Sequence, residues 1–223
     1  MSMILRLWQL AMTRFVLFLF RVFCRLEVHG TEHLQHIEKP FLITPNHKSM
    51  VDPFVVGAAI LQTRTDLAPL HFMTKDKLFT YPVLNLFLWS LGAFRANKKQ
   101  GLDRSLKTPS RLLHNGAVVM VFPEAHIMPD RTKLGHGRNG AAILASATGV
   151  PIVPVSFYTS EFLTLGNFFV RRPQVVVRIG VPFAVRIANP SRLEESLEEA
   201  SSMIMGKVAD LYRQDEPELH WRG

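Results

Sequence analysis

The sequence predicts an α/β fold: a single layered domain with a mostly parallel central sheet flanked by helices, plus an N-terminal amphipathic membrane-associated helix. Three observations carry this. Runs such as Pro40–Pro45 (PFLITP), Ala117–Phe122 (AVVMVF) and Ile152–Phe157 are apolar throughout rather than alternating, as in strands covered on both faces. Segments with helical spacing lie between them, the βα alternation of layered sheets. The first 26 residues place arginines on one side and aromatics on the other.

Met3–Leu26 reads as one long helix. At about 100° per residue, Arg6, Arg14, Arg21 and Arg25 fall within an arc of roughly 100°. Gln9 and Thr13 flank that arc; Ile4, Trp8, Ala11, Phe15, Phe18, Leu19, Val22, Phe23 and Leu26 lie opposite. Arginines interrupt every candidate apolar core, which argues against a signal peptide. They argue equally against a spanning helix, which needs about 20 mostly apolar residues. A helix in the headgroup plane fits, with arginines reaching for phosphates and aromatics in the acyl boundary. The same amphipathy also suits a helix packed on the protein's own core.

Further along, Leu26–His29 and Pro40–Pro45 read as strands, and Pro53–Leu61 as a helix with proline in its first turn. Leu70–Thr74 is a strand, Tyr81–Leu91 a helix and Ala93–Ala96 a short strand. Asp103–His114 is a helix, Ala117–Phe122 a buried strand, and Asn139–Thr148 an alanine-rich helix stopped by Gly149. Ile152–Phe157 and Val175–Ile179 are strands, and Ser191–Arg213 closes the chain as a helix. Residues 78–94 carry no charge and form either a buried helix or a second interfacial element. With no repeat or linker, the chain divides into an anchor, 1–27, and one globular domain, 28–223.

Composition narrows the function. The chain has 223 residues, 48% of them hydrophobic, and a net charge of +8. Its mean hydropathy is +0.12 and its pI about 10.0. Intrinsic disorder is excluded, because it needs low hydrophobicity with high charge. The single cysteine excludes an intrachain disulfide framework and suits a reducing compartment. Residues 1–193 carry a net charge of +13 and the tail −5. Such a body suits a lipid surface, nucleic acid or an acidic substrate. No recognition helix, zinc spacing or aromatic RNA-binding motif accompanies the charge, so no nucleic acid is expected.

Two sites carry chemistry. In Asn46-His47-Lys48-Ser49-Met50-Val51-Asp52-Pro53, a histidine in a loop can meet an aspartate in the opening turn of the next helix. An aspartate accepting from one imidazole nitrogen fixes the tautomer and leaves the other as a base. The bare pattern also fits a surface histidine beside a helix N-terminal acid. In Val121-Phe122-Pro123-Glu124-Ala125-His126, a buried strand presents Glu124 at its carboxyl end, the edge where α/β sheets bind ligands. An ordinary loop acid would look the same.

Together these blocks resemble the glycerolipid acyltransferases typified by lysophosphatidic acid acyltransferase. NHKSMVD resembles the N-H-x4-D motif, FPEAH the F-P-E-G-T-R block, and Val150-Pro151-Ile152-Val153-Pro154-Val155 the V-P-I-x-P-V block. Gly92-Ala93-Phe94-Arg95-Ala96-Asn97-Lys98 resembles the block that ends in a substrate-binding arginine. The resemblance implies acyl transfer from an acyl thioester to a lysophospholipid hydroxyl, most directly 1-acylglycerol-3-phosphate to phosphatidic acid. His47 would be the base and Asp52 its orienting partner. Glu124, Lys98, Arg95, Arg138, Asn46 and Ser49 would bind substrate. No bound cofactor or metal is implied. The co-substrate would be acyl-coenzyme A or acyl-acyl carrier protein, and the location the cytoplasmic side of a bacterial inner membrane. Two departures concern the acceptor: Ile127 stands where the family has a phosphate-gripping arginine, and Lys98 replaces another. They leave room for a different lysolipid acceptor, or for a nonenzymatic membrane-binding module.

Overall fold

A computed structural model describes residues 3–97, 101–187 and 192–221. The chain runs α1 (Met3–Phe23), β1 (Arg25–His29), β2 (Phe41–Pro45), α2 (Asp52–Leu61), β3 (Leu70–Thr74), α3 (Pro82–Ser90) and β4 (Ala93–Arg95). It continues α4 (Leu102–His114), β5 (Val118–Met120), α5 (Gly140–Thr148), β6 (Ile152–Thr159), α6 (Leu165–Val170), β7 (Gln174–Ile179) and α7 (Leu193–Tyr212). All seven strands form one sheet in the order β1-β7-β6-β2-β5-β3-β4. Strands β6, β2, β5, β3 and β4 are parallel, as expected of strands joined by helical crossovers. The pairing of β6 with β7 is antiparallel, and β1 follows β7, so this edge runs against the rest.

Helices cover both faces. Alternate sheet residues such as Ile43, Phe72, Met120 and Val155 pack with Phe20 of α1, Val56 and Ile60 of α2 and Leu88 of α3. Leu42, Val119 and Ile152 point the other way, to Leu113 of α4, Leu144 of α5 and Ile204 of α7. Two expectations are revised. The N-terminal helix ends at Phe23, and Arg25 begins a strand, so Arg25 leaves the proposed arginine stripe. Helix α6 adds an element between the two last strands, where none was expected.

The packing of α1 distinguishes its possible roles. Its length and composition would cross a bilayer. Yet two of its polar residues, Gln9 and Thr13, are buried with Leu17 and Phe20 against the protein, while Arg6, Arg14 and Arg21 are exposed. The Gln9 side chain donates to the carbonyls of Leu70 and Leu91, 2.8 Å each, and accepts from the Leu70 N–H at 2.8 Å. It thereby satisfies backbone groups at the start of β3, which would be costly to bury unpaired. Outward stand Ile4, Leu7, Phe15 and Phe18, at 77, 60, 53 and 61% exposure. This apolar face continues over Val83, Leu86 and Trp89 of α3 and Phe169 and Val170 of α6, all exposed.

Candidate active site

The register of the sheet builds the site. Strands β2 and β5 are parallel neighbours with Ile43 opposite Met120, so their chain continuations emerge side by side at the carboxyl edge. His47 leaves β2 and Glu124 leaves β5, and the His47 N–H donates to Glu124 Oε2 at 2.5 Å. The His47 carbonyl accepts from the Met128 N–H at 2.7 Å. The histidine backbone is thus fastened at both ends to the loop after β5.

Its ring is fastened as well. Nδ1 lies 2.9 Å from Asp52 Oδ2, in the first turn of α2. The ring stacks on Phe122 with centroids 4.2 Å apart. Asp52 is fully buried, and its carboxylate also accepts from the N–H groups of Lys48 (2.6 Å) and Ser49 (2.8 Å) and from the Ser49 hydroxyl. A carboxylate cannot donate, so Nδ1 carries the proton and Nε2 is left with its lone pair. His47 lines a cavity of about 550 Å³ with Met50, Lys75, Phe122, His126, Ile127 and Arg138. A second, apolar cavity of about 430 Å³ lies between α1, α2 and the sheet, lined by Met12, Val16, Phe54, Gly57 and Phe72. Pro53 walls both.

The residues expected to bind substrate separate into three groups. Arg138 lines the cavity that holds His47 and is exposed. Arg95 is exposed at the end of β4 with its guanidinium over the Phe79 ring and is not among that cavity's lining residues, though its neighbour Ala96 is. Lys98 lies outside the described residues. Asn46, Ser49 and Glu124 are buried, with their polar atoms engaged by protein. Asn46 donates to the Phe157 carbonyl at 2.9 Å and accepts from its N–H at 2.7 Å, standing in for a ladder pair between β2 and β6. Ser49 serves Asp52. Glu124 accepts from His47 through one oxygen and from the Gly135 N–H (2.6 Å) through the other. Burial pushes the Glu124 carboxyl above its usual range, against the pull of those N–H groups and the Lys48 ammonium. These geometries replace contact with substrate by support of the loops. The amides of Lys48 and Ser49, at the approach to α2, are likewise committed to Asp52 rather than to an oxyanion. Sequence reasoning missed Phe122 and Lys75. Phe122 precedes a recognisable Pro-Glu, and Lys75 follows a strand at its carboxyl end, the signal that located Glu124.

The His47–Asp52 pair thus stands at the carboxyl edge of a parallel sheet, where α/β folds bind ligands, and His47 lines a partly cationic cavity that shares Pro53 with an apolar one. Comparison with known proteins agrees in kind. The family described as Acyltransferase matches residues 25–158, and the chain belongs to that family. The 1-acyl-sn-glycerol-3-phosphate acyltransferase of Bacillus subtilis is 28% identical over 59% of this chain and 62% of its own length. That of Pseudomonas aeruginosa is 25% identical over 89% of this chain and 75% of its own. The chain therefore covers less than two thirds of the Bacillus relative. The crystal structure of the Thermotoga maritima 1-acyl-sn-glycerophosphate acyltransferase, PlsC, superposes with a TM-score of 0.68 at 21% identity. That match covers 96% of this chain and 80% of the Thermotoga chain, a likeness of fold.

Proposed function

We infer that the protein transfers an acyl group from a thioester, carried by coenzyme A or acyl carrier protein, to the free hydroxyl of a lysophospholipid. The favoured acceptor is 1-acylglycerol-3-phosphate and the product phosphatidic acid. The observation that carries the reading is the His47–Asp52 pair, with His47 lining a cation-bearing cavity that shares Pro53 as a wall with an apolar cavity. Nε2 takes the proton of the acceptor hydroxyl as its oxygen bonds to the thioester carbonyl carbon. The tetrahedral intermediate collapses, the C–S bond breaks, and the imidazolium returns its proton to the departing thiolate. Asp52 holds the ring and stabilises the imidazolium. Arg138 and Lys75 offer positive charge to an anionic headgroup, and Lys98 and Arg95 are further candidates. Asn46, Ser49 and Glu124 position the loops. The protein works from the cytoplasmic leaflet of a bacterial inner membrane, with the outer faces of α1, α3 and α6 against lipid.

A related reading, the same chemistry on another lysolipid, draws on Ile127: the cavity wall is apolar where the family carries an arginine. Protein in mixed vesicles, given acyl donor and a panel of lysolipids, is expected to convert lysophosphatidic acid fastest. A preference for a zwitterionic acceptor would select the second reading. His47→Ala is expected to lower the rate by about a hundredfold to ten-thousandfold. Undiminished turnover in that variant would refute the mechanism.

A further inference from the structure

Lys48 follows the base in the chain, yet its side chain turns away from the cavity into the protein, at 1% exposure. Its ammonium donates to the carbonyls of Asp130 (2.9 Å) and Lys133 (2.5 Å) and lies 4.8 Å from the Tyr212 ring centroid. Its own N–H donates to Asp52, which orients His47. One residue thus touches the orienting carboxylate and the middle of segment 125–138. The two ends of that segment line the cavity with Ala125, His126, Ile127 and Arg138. A buried cation is tolerated only when fully partnered, and an apolar side chain of that volume is often no less stabilising.

We propose that Lys48 is a positioning residue for the acyl transfer inferred above. Its charged amine fastens segment 125–138 to the His47 loop and keeps the site assembled. The groups that face it are the carboxylates of Glu124, Asp130, Asp52 and Glu216, all of which favour its charge, and the ring of Tyr212 on α7. Burial outweighs them and pulls the amine down to about 8. Charge-assisted hydrogen bonds are roughly twice as strong as neutral ones, so the grip on the two carbonyls weakens above that pH.

Loss of the Lys48 proton acts on activity and on stability in opposite senses. Activity is expected to fall as pH rises through about 8. Stability moves the opposite way. The unfolded lysine titrates near its ordinary value of about 10.4, so between the two values the unfolded chain holds more protons and the fold gains stability with pH. A lysine with no part in positioning the site would show the same gain in stability but leave activity level through about pH 8.

The test measures kcat and KM from about pH 7 to 9.5 for the full chain and for Lys48→Met, with thermal unfolding over the same range. Amide exchange at Met128 and Gly135 is followed alongside. Lys48→Met is expected to lower kcat by about tenfold to a hundredfold with KM little changed, the scale of a small misplacement of reacting groups. It is also expected to lose the alkaline decline and to expose both amides. Wild-type kcat in Lys48→Met, or an unmoved alkaline limb, overturns the proposal. If that variant does not fold, the wild-type protein decides: a rate that falls through about pH 8 while thermal stability is kept supports the proposal, and a rate that stays level to pH 9.5 overturns it. If no acceptor is acylated at all, the acyltransferase reading has failed separately. Protection at Met128 and Gly135 that survives Lys48→Met then overturns the role of Lys48.

Discussion

Ala125 occupies the left-handed region, with φ +59, one residue after Glu124. The turn lets Glu124 fold back on His47 and Gly135 while the chain moves on along the cavity wall. A Cβ costs about 1–2 kcal/mol in that conformation, partly offset by the entropy a glycine loses on folding. Ala125→Gly is therefore expected to raise the melting temperature by about 2–4 °C, the effect of roughly 1 kcal/mol in a chain of this size. A lower melting temperature by calorimetry would show that the alanine methyl contributes more through packing than its backbone costs. At this scale the meeting of His47 with Asp52 was legible in the sequence, but the work of their neighbours was not. His47 and Asp52 are five residues apart, and local chain geometry brings them together. Glu124 meets His47 across a separation of 77 residues, and only the order of the strands decides that meeting. For the same reason Asn46, Ser49 and Glu124 looked like substrate ligands. Their burial depends on what the rest of the chain stacks over them.

Among the elements, boundaries were legible wherever a residue forbids continuation. Gly149, in the left-handed conformation at φ 67, stops α5, and Leu70–Thr74 matches the expected strand end to end. Strand direction was less legible. Residues 160–173 between β6 and β7 hold a short aromatic helix rather than a full crossover, and β7 consequently returns antiparallel. For α1 the amphipathy was plain, but which face the protein would claim was not. The helix docks through a few polar contacts and some core residues, leaving its broad aromatic side outward. Replacing both Phe15 and Phe18 by serine is expected to leave circular dichroism unchanged and weaken vesicle binding by at least about tenfold. Burying one such ring contributes about 1.5–3 kcal/mol. Unchanged co-sedimentation with vesicles would remove this face from the membrane contact.

At the scale of the molecule, the net charge of +13 on residues 1–193 and the outward apolar faces would act together on a lipid surface. Arg6 and Arg21 on the flank of α1 reach Thr65 and Gln62 only at 3.4 and 3.1 Å and remain exposed. Attraction to anionic headgroups acts over a Debye length, which shrinks from about 30 Å at 0.01 M salt to about 3 Å at 1 M. Binding to anionic vesicles is therefore expected to exceed binding to zwitterionic ones at low salt, with the gap closing as salt is added. A flotation series that shows no salt dependence would assign association to the apolar faces alone. One connection gives this a further dimension. Between the end of α1 at Phe23 and the start of β1 at Arg25 lies a single residue, Cys24, buried in the core. Such a joint has no slack. A helix floating in the headgroups would carry the sheet with it like a keel, so its inclination in the lipid would set the angle at which the mouth beside His47 meets the bilayer.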